Sequence, residues 1–215
     1  MDNIKYMLFI SVSIPMMLMA LLVEKKARLP IMFMFIGLIV SVFASEVNGL
    51  LSQALSMDLY RMTVVVTPVS EECLKALPIL YYAIVISDKQ ERLFTASMAT
   101  GIGFAVLENA YFLYNYPDFN MLSAIIRAFG AGLMHGMCTL LVGVGISFVR
   151  KKRKLFVVGT FGLLSTAIVY HGVYNILIQS RFSIVGALLP IATYIPFLIW
   201  RLRIKRRSDD KSEKQ

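Results

Sequence analysis

Long apolar runs, separated by short polar connections, dominate this chain of 215 residues. A helix rises about 1.5 Å per residue, so about 20 apolar residues cross the roughly 30 Å hydrocarbon core of a bilayer. Backbone polar groups in lipid must be bonded within their own segment, which makes each run a helix. The pattern predicts an all-α, polytopic transmembrane helix bundle of about seven spans, at 4–23, 29–51, 62–86, 93–114, 122–149, 155–178 and 184–200.

The composition, 58% hydrophobic and 16% charged, excludes an ordinary soluble domain. It predicts one integral-membrane domain over residues 1–207 and a disordered tail at 208–215. Cys73 and Cys138 both lie within predicted spans, so a disulfide framework is not expected.

The net charge of +9 could suggest a nucleic-acid partner, but the positions of the basic residues argue against one. They concentrate in alternate connections between the spans, where they set topology and can contact anionic lipid. We therefore predict an outer N-terminus and a cytoplasmic C-terminus. The cytoplasmic group comprises Lys25, Lys26, Arg28, Lys89, Arg92, the run 150–154 and the tail after Trp200, whereas Lys5, Arg61 and Arg181 lie on the outer side.

The third predicted span contains Glu71, Glu72 and Lys75. Ionisable side chains in a bilayer are costly and mark a bundle interior or a water-filled cavity. Helical spacing lets Lys75 neutralise one carboxylate and leave the other as a general base, although a purely structural Glu–Lys pair has the same pattern. Pro68 lacks a backbone N–H and is expected to free the carbonyl of Val64 just before these residues.

Further polar side chains lie on three other spans, and their depths agree. Glu71, Glu108 and His171 lie about 14, 9 and 11 Å below the outer ends of their spans, and His135 about 20 Å along a longer one. These depths predict one polar site in the outer half of the bilayer. Its other expected members are Asn109, which follows Glu108, and Asn175, which shares a helix face with His171.

Taken singly, an intramembrane histidine or acid is often a helix-bridging group. Two histidines at the depth of three carboxylates favour chemistry instead. Such a set could hold a transition metal. However, no His-Glu-x-x-His spacing occurs and Lys75 disfavours a cation, so we predict a metal-free site. Glu46 and Arg127, near outer span ends, are expected either to pair or to reach the interface.

The order of these residues resembles the PrsW family of bacterial intramembrane proteases. The matching motifs are Glu71-Glu72-x-x-Lys75, Gly101-x-x-Phe104-Ala105-x-x-Glu108-Asn109, His135 and His171-x-x-x-Asn175, which span 71–175. The pattern is more distantly similar to the type II CAAX prenyl endopeptidases. Those carry Glu-Glu-x-x-x-Arg and Phe-x-x-x-His motifs. Here the basic residue is one position earlier, and Glu108 replaces the histidine.

The resemblance implies a glutamic-type endopeptidase of the bacterial plasma membrane that needs no cofactor. Its substrate would be a single-span membrane protein, such as an anti-sigma factor cut at the outer side in a stress response. Glu71 or Glu72 would activate water, and His135 would assist. The oxyanion would be stabilised by His171 and Asn175, and Glu108 would be a further acid or orienting group. The alternative is a proton- or cation-coupled transporter that uses the same Glu and His residues.

Overall fold

The computed structural model describes residues 4–116, 120–149 and 153–212, and over these residues it consists of helices joined by short connections, with no strands. This confirms the all-α fold class. In chain order, the α-helices are α1 (Ile4–Leu22), α2 (Lys25–Leu55), α3 (Leu59–Arg61), α4 (Thr67–Tyr81), α5 (Gln90–Asn115), α6 (Met121–Ile146), α7 (Arg153–Ile178) and α8 (Ser183–Ser212).

Two π-helical turns, Met62–Val66 and Tyr82–Ile86, flank α4. At the first, the N–H of Thr67 bonds the carbonyl of Met62, five residues earlier. Pro68, which follows, cannot donate the next bond of this register. Such wide turns re-aim the helix that follows them and are frequent at functional sites. The predicted third span is therefore one helical stretch with a change of register just before Glu71.

Among the described residues, four helices are long and apolar enough to cross a membrane: Ile4–Leu22, Lys25–Leu55, Met121–Ile146 and Lys154–Ile178. A helical membrane bundle is thus confirmed, whereas the number seven stays a prediction. The other predicted spans correspond to the stretch around α4, to α5, and to the apolar segment Ser183–Pro196 of α8.

Small residues allow α2, α5 and α6 to approach closely. A Cβ atom at Gly101 of α5 would collide with the backbone of His135 on α6, and one at Gly37 of α2 would collide with the backbone of Thr100. Close approach through small residues is how membrane helices gain packing energy in lipid. This crossing fixes the backbone of His135 against α5.

Helix α1 lies at the edge of the bundle. Ser13 is its only buried residue, and its helix neighbours are α2 and α5. At the other end of the chain, α8 continues to Ser212, into the segment predicted to be a disordered tail. Residues 213–215 of that tail, and residues 150–152 of the predicted cytoplasmic basic run, lie outside the described residues.

Candidate active site

Helix α4 places Glu71, Glu72 and Lys75 on its buried side. Their exposed fractions are 6%, 0% and 0%. The Lys75 ammonium (Nζ) lies 2.7 Å from Glu72 Oε1 and 3.7 Å from Glu71 Oε2. Buried charges persist only when they are paired and hydrogen-bonded. The predicted Glu–Lys cluster therefore exists, and Glu72 is the closer partner of Lys75.

His135 of α6 joins this cluster from the facing helix. Its Nδ1 lies 2.8 Å from Lys75 Nζ, and its Nε2 lies 2.5 Å from Glu108 Oε2 on α5. An ammonium group can only donate, so Nδ1 must accept and Nε2 must carry the proton that Glu108 accepts. The imidazole is thus held in one neutral tautomer between a cation and an anion.

Glu108 extends the network to Arg127, a residue for which the sequence suggested no site role. Arg127 Nη2 lies 3.3 Å from Glu108 Oε1, and its guanidinium group lies 3.7 Å from the centre of the Phe112 ring. Glu46, the other residue at an outer span end, instead binds Lys5 at 2.5 Å.

His171 of α7 completes the chain of contacts. Its Nδ1 lies 2.9 Å from Glu72 Oε1, and its ring meets the ring of His135 edge-on with the centroids 4.9 Å apart. One continuous line of hydrogen bonds and ion pairs therefore connects four helices. In order, it runs through Arg127, Glu108, His135, Lys75, Glu72 and His171.

Two residues predicted for the site have other contacts. Asn175 Nδ2 donates to the backbone oxygen of Thr63 at 2.8 Å, so the amide is engaged at the π-helical turn. Asn109 follows Glu108 on α5, and its buried Oδ1 has no hydrogen-bond partner among the described residues. The structure thus brings Glu71, Glu72, Lys75, Glu108, His135 and His171 together and leaves both asparagines at the margin.

Asn48 of α2 is a site residue that the sequence analysis missed. Its Nδ2 lies 3.5 Å from Glu71 Oε1, and its Oδ1 accepts a hydrogen bond from Ser70. Because Ser70 fixes the carbonyl end of the amide, the NH₂ end faces Glu71. An amide inside the apolar run 29–51 was the signal that could have found it.

A cavity of about 190 Å³ lies beside this network. Glu71 and Glu108 both line it, together with Ser41 and Asn48 of α2. Glu71 Oε2 is buried and has no hydrogen-bond partner among the described residues. Buried polar atoms are normally satisfied, so this oxygen is a place where water or a peptide group can bind.

Residues 25–201 match the family described as PrsW family intramembrane metalloprotease. The chain belongs to the PrsW family. It is accordingly a multi-pass membrane protein and an intramembrane protease, which is a hydrolase. No curated protein and no solved structure gives a match.

The description of the PrsW family as metalloproteases raises the question of a bound metal ion, which the sequence predicted to be absent. Glu71, His135 and His171 each offer one ligand atom, and these atoms lie within 4.8 Å of one another. One carboxylate and two imidazoles suit a catalytic zinc ion, and Glu108 behind His135 is the kind of carboxylate that orients a metal-bound histidine. The donor set therefore fits a metal ion in its chemistry, and the predicted absence of metal is not confirmed.

In this PrsW-family protein, Lys75 would compete with a metal ion for the candidate ligand atoms. Its ammonium already contacts His135 Nδ1 and lies 3.7 Å from Glu71 Oε2, so it faces two of the three candidate ligands. A cation bound there would meet a buried like charge. The same carboxylates and imidazoles can serve either a metal ion or Lys75.

Proposed function

We propose that this protein hydrolyses a peptide bond of a membrane-anchored protein with a water molecule that Glu71 activates. The observation that carries the proposal is the position of the Glu71 carboxylate. It lines the cavity, as Glu72 does not, and its buried Oε2 accepts no hydrogen bond from the described residues, with Lys75 Nζ as an ion-pair partner 3.7 Å away. A general base must reach the proton that it removes, either directly or through one water.

Glu72 has a different role in this proposal. It is fully buried and holds both Lys75 and His171 through Oε1. Its charge balances the ammonium group and orients the imidazole. Glu72 is therefore a positioning residue, and the pair divides into one base and one counter-ion.

The proposed reaction runs in two steps. Glu71 takes a proton from water while the hydroxide oxygen bonds the scissile carbonyl carbon, giving a tetrahedral oxyanion. The C–N bond then breaks, and the proton held by Glu71 passes to the leaving nitrogen to give an amine and a carboxylic acid. The Glu72 carboxylate can only accept, so Nδ1 of His171 must donate to it. We assign Nε2 to the oxyanion, and it can donate there only when the imidazole ring carries both protons, the form that the carboxylate at Nδ1 stabilises.

His135 and Glu108 act through Lys75 in this scheme. Glu108 fixes the tautomer of His135, and His135 accepts from Lys75, so the ammonium stays beside the two carboxylates of α4. We assign Asn175 to the π-helical turn rather than to the oxyanion, because its amide bonds Thr63.

A metal-assisted variant is the second candidate, because the ligand atoms of Glu71, His135 and His171 lie within 4.8 Å. These three residues would hold the ion, and a bound metal would supply an activated water and polarise the carbonyl. A proton- or cation-coupled transporter, the other alternative from the sequence, has no support from the family match, which is to proteases.

For the substrate we propose a single-span protein cut near the outer face of a bacterial plasma membrane, as in the release of an anti-sigma factor. The depths of the polar residues along their helices and the predicted topology support this side.

The test compares membrane proteomes of cells that carry the wild-type protein or the Glu71→Gln variant. We expect single-span proteins to accumulate in full-length form with the variant, and their fragments to appear only with the wild type. Glu91→Gln is the matched control, because it makes the same change at an exposed residue in the first turn of α5. Identical proteomes for Glu71→Gln and wild type would contradict the proposal.

A further inference from the structure

The cavity beside Glu71 has a second, larger neighbour. That cavity has a volume of about 360 Å³ and lies among the first residues of α1, Glu46 of α2 and the last turns of α5. Lys5 and Tyr111 line both cavities. The two spaces therefore follow one another, from the predicted outer end of the bundle to the carboxylates of the candidate active site.

A cluster of charged and hydroxyl groups lies where the two cavities meet. Lys5 Nζ lies 2.5 Å from Glu46 Oε1, and the Tyr6 hydroxyl donates to the same oxygen at 2.5 Å. The side chain of Lys5 is 22% exposed and that of Glu46 is 48% exposed. This cluster links the outer end of α1 to α2 across the path to Glu71.

Helix α1 is the element that can move at low cost. Ser13 is its only buried residue, and apolar side chains such as Met7 (61% exposed) and Ile10 (51% exposed) face outward. Segments with few buried contacts open more readily than the core of a structure. The family match begins at residue 25, so α1, which supplies Lys5 and Tyr6, lies outside it.

The inner cavity has mostly apolar walls that carry a few polar groups, a mixture that suits a polypeptide with both side chains and peptide groups. Ser41 and Ser45 offer hydroxyl groups, which can pair with the N–H and C=O groups of an extended chain. An acyl chain in the same space would leave these groups unpaired, at a cost in free energy.

We propose that this pair of cavities is the route by which an extended outer segment of the substrate reaches Glu71, and that the outer end of α1 covers it. In the resting protein, the contacts of Lys5 and Tyr6 with Glu46 hold α1 against α2. Breaking these contacts lets the end of α1 separate and exposes the inner cavity to the outer aqueous phase. The proposal rests on the proposed peptide hydrolysis, which gives the route its purpose, but the experiments below do not require hydrolysis.

The test uses Ser41→Cys, a buried position on the inner cavity, in a background with Cys73→Ser and Cys138→Ala. The measurement is its rate of modification by the charged reagent methanethiosulfonate ethylsulfonate, added to intact cells or to inverted vesicles. We expect slow modification from the outer side. Exposed ion pairs are weak, so Glu46→Gln should accelerate it by roughly 1.5- to 5-fold.

Two variants make the result specific to this contact. Combining Lys5→Glu with Glu46→Lys restores a pair of opposite charges and should return the slow rate. Glu24→Gln, at the exposed residue that precedes α2, makes the same change at the opposite end of the α1–α2 pair and should leave the rate unchanged. Equal rates in all variants, or modification only from the cytoplasmic side, would overturn the proposal.

The nature of the segment that occupies the cavity is tested by asking which peptides protect Ser41→Cys from modification. A synthetic single-span peptide with a polar outer extension should slow the modification of Ser41→Cys in the Glu46→Gln background, whereas the same peptide without the extension should not. Equal protection by both peptides would assign the cavity to an apolar segment and refute the proposed occupant. None of these modification rates depends on peptide turnover, so they test the route even if the protein does not hydrolyse peptides. The role of Glu71 as a base is tested separately, by the comparison of proteomes.

Discussion

The side-chain amide of Asn175 donates a hydrogen bond to the backbone oxygen of Thr63, 2.8 Å away. In the π-helical turn, the N–H of Thr67 donates to the carbonyl of Met62, five residues earlier. By the same spacing, the donor to the Thr63 carbonyl would be residue 68, but Pro68 has no N–H. Asn175 supplies the missing donor from another helix. It thereby stabilises the turn that sets the direction of α4, and with it the positions of Glu71 and Glu72.

This relationship predicts the behaviour of Asn175→Ala. The variant leaves a half-buried carbonyl without its donor, which should lower the free energy of unfolding by about 1 kcal/mol and reduce turnover as α4 shifts. Gln179→Ala is the matched control, because Gln179 bonds the Thr63 hydroxyl and not its backbone oxygen.

A double variant separates the structural role of Asn175 from a role at the oxyanion. Pro68→Ala restores a backbone donor at this turn, so it should recover part of the stability lost in Asn175→Ala. Thermal unfolding in detergent and peptide turnover measure the two effects. Full stability with lost turnover in Asn175→Ala would instead make the amide an oxyanion donor.

Substitution of Glu71 and of Glu72 by glutamine should affect turnover and stability differently. Glu71→Gln removes the proposed base and should reduce turnover by about 10²–10⁴-fold while the unfolding temperature stays close to that of the wild type. Glu72→Gln removes the anionic partner of Lys75 and His171, and breaking a buried pair costs about 3–5 kcal/mol. It should therefore lose stability as well as turnover. Wild-type turnover in Glu71→Gln would transfer the role of base to another group.

The close crossing of α5 and α6 predicts a sharp difference between two glycines. Gly101→Ala places a methyl group against the backbone of His135, so the helices must separate, at a cost of about 1–3 kcal/mol and with loss of the His135–Lys75 contact. Gly132→Ala meets no atom within 4 Å and should be neutral or slightly stabilising. Unfolding temperatures and turnover of both variants check this, and equal effects would argue against the crossing.

Much of the polar network could be predicted from the sequence, because helical rise fixes depth and alternating spans bring equal depths together. The contact of His171 with Glu72 follows that logic. His135 was predicted to lie about 20 Å along its span and Glu108 about 9 Å along its own, so depth alone did not predict their contact. The rotation of each helix about its axis does not follow from depth. For that reason the sequence did not reveal that Asn48 faces Glu71 or that Arg127 pairs with Glu108.

The register of the third predicted span was also beyond the sequence. An α-helical register predicts that Pro68 frees the carbonyl of Val64. In the structure the turn is π-helical and the Thr63 carbonyl finds an outside donor. In this register the donor to the Thr63 carbonyl is Asn175, which is distant in sequence and comes close only after folding.

The position of Lys75 leads to a prediction about metal binding. In a metal-free mechanism, strong chelators should leave turnover of the purified protein unchanged. Two unit charges about 4 Å apart repel by about 4 kcal/mol at an effective dielectric constant of about 20. Lys75→Met removes that repulsion, so the zinc affinity of Glu71, His135 and His171 should rise by more than about tenfold.

The metal content of the purified protein, measured by mass spectrometry, checks this second effect independently of turnover. Lys26→Met, at an exposed lysine in the first turn of α2, is the control and should leave zinc binding unchanged. The opposite outcome is equally clear. Stoichiometric zinc in the wild type, with turnover lost on chelation and restored by zinc, would make Glu71, His135 and His171 metal ligands. Lys75 would then have to turn away from His135 Nδ1 whenever the ion binds, because both need the same lone pair.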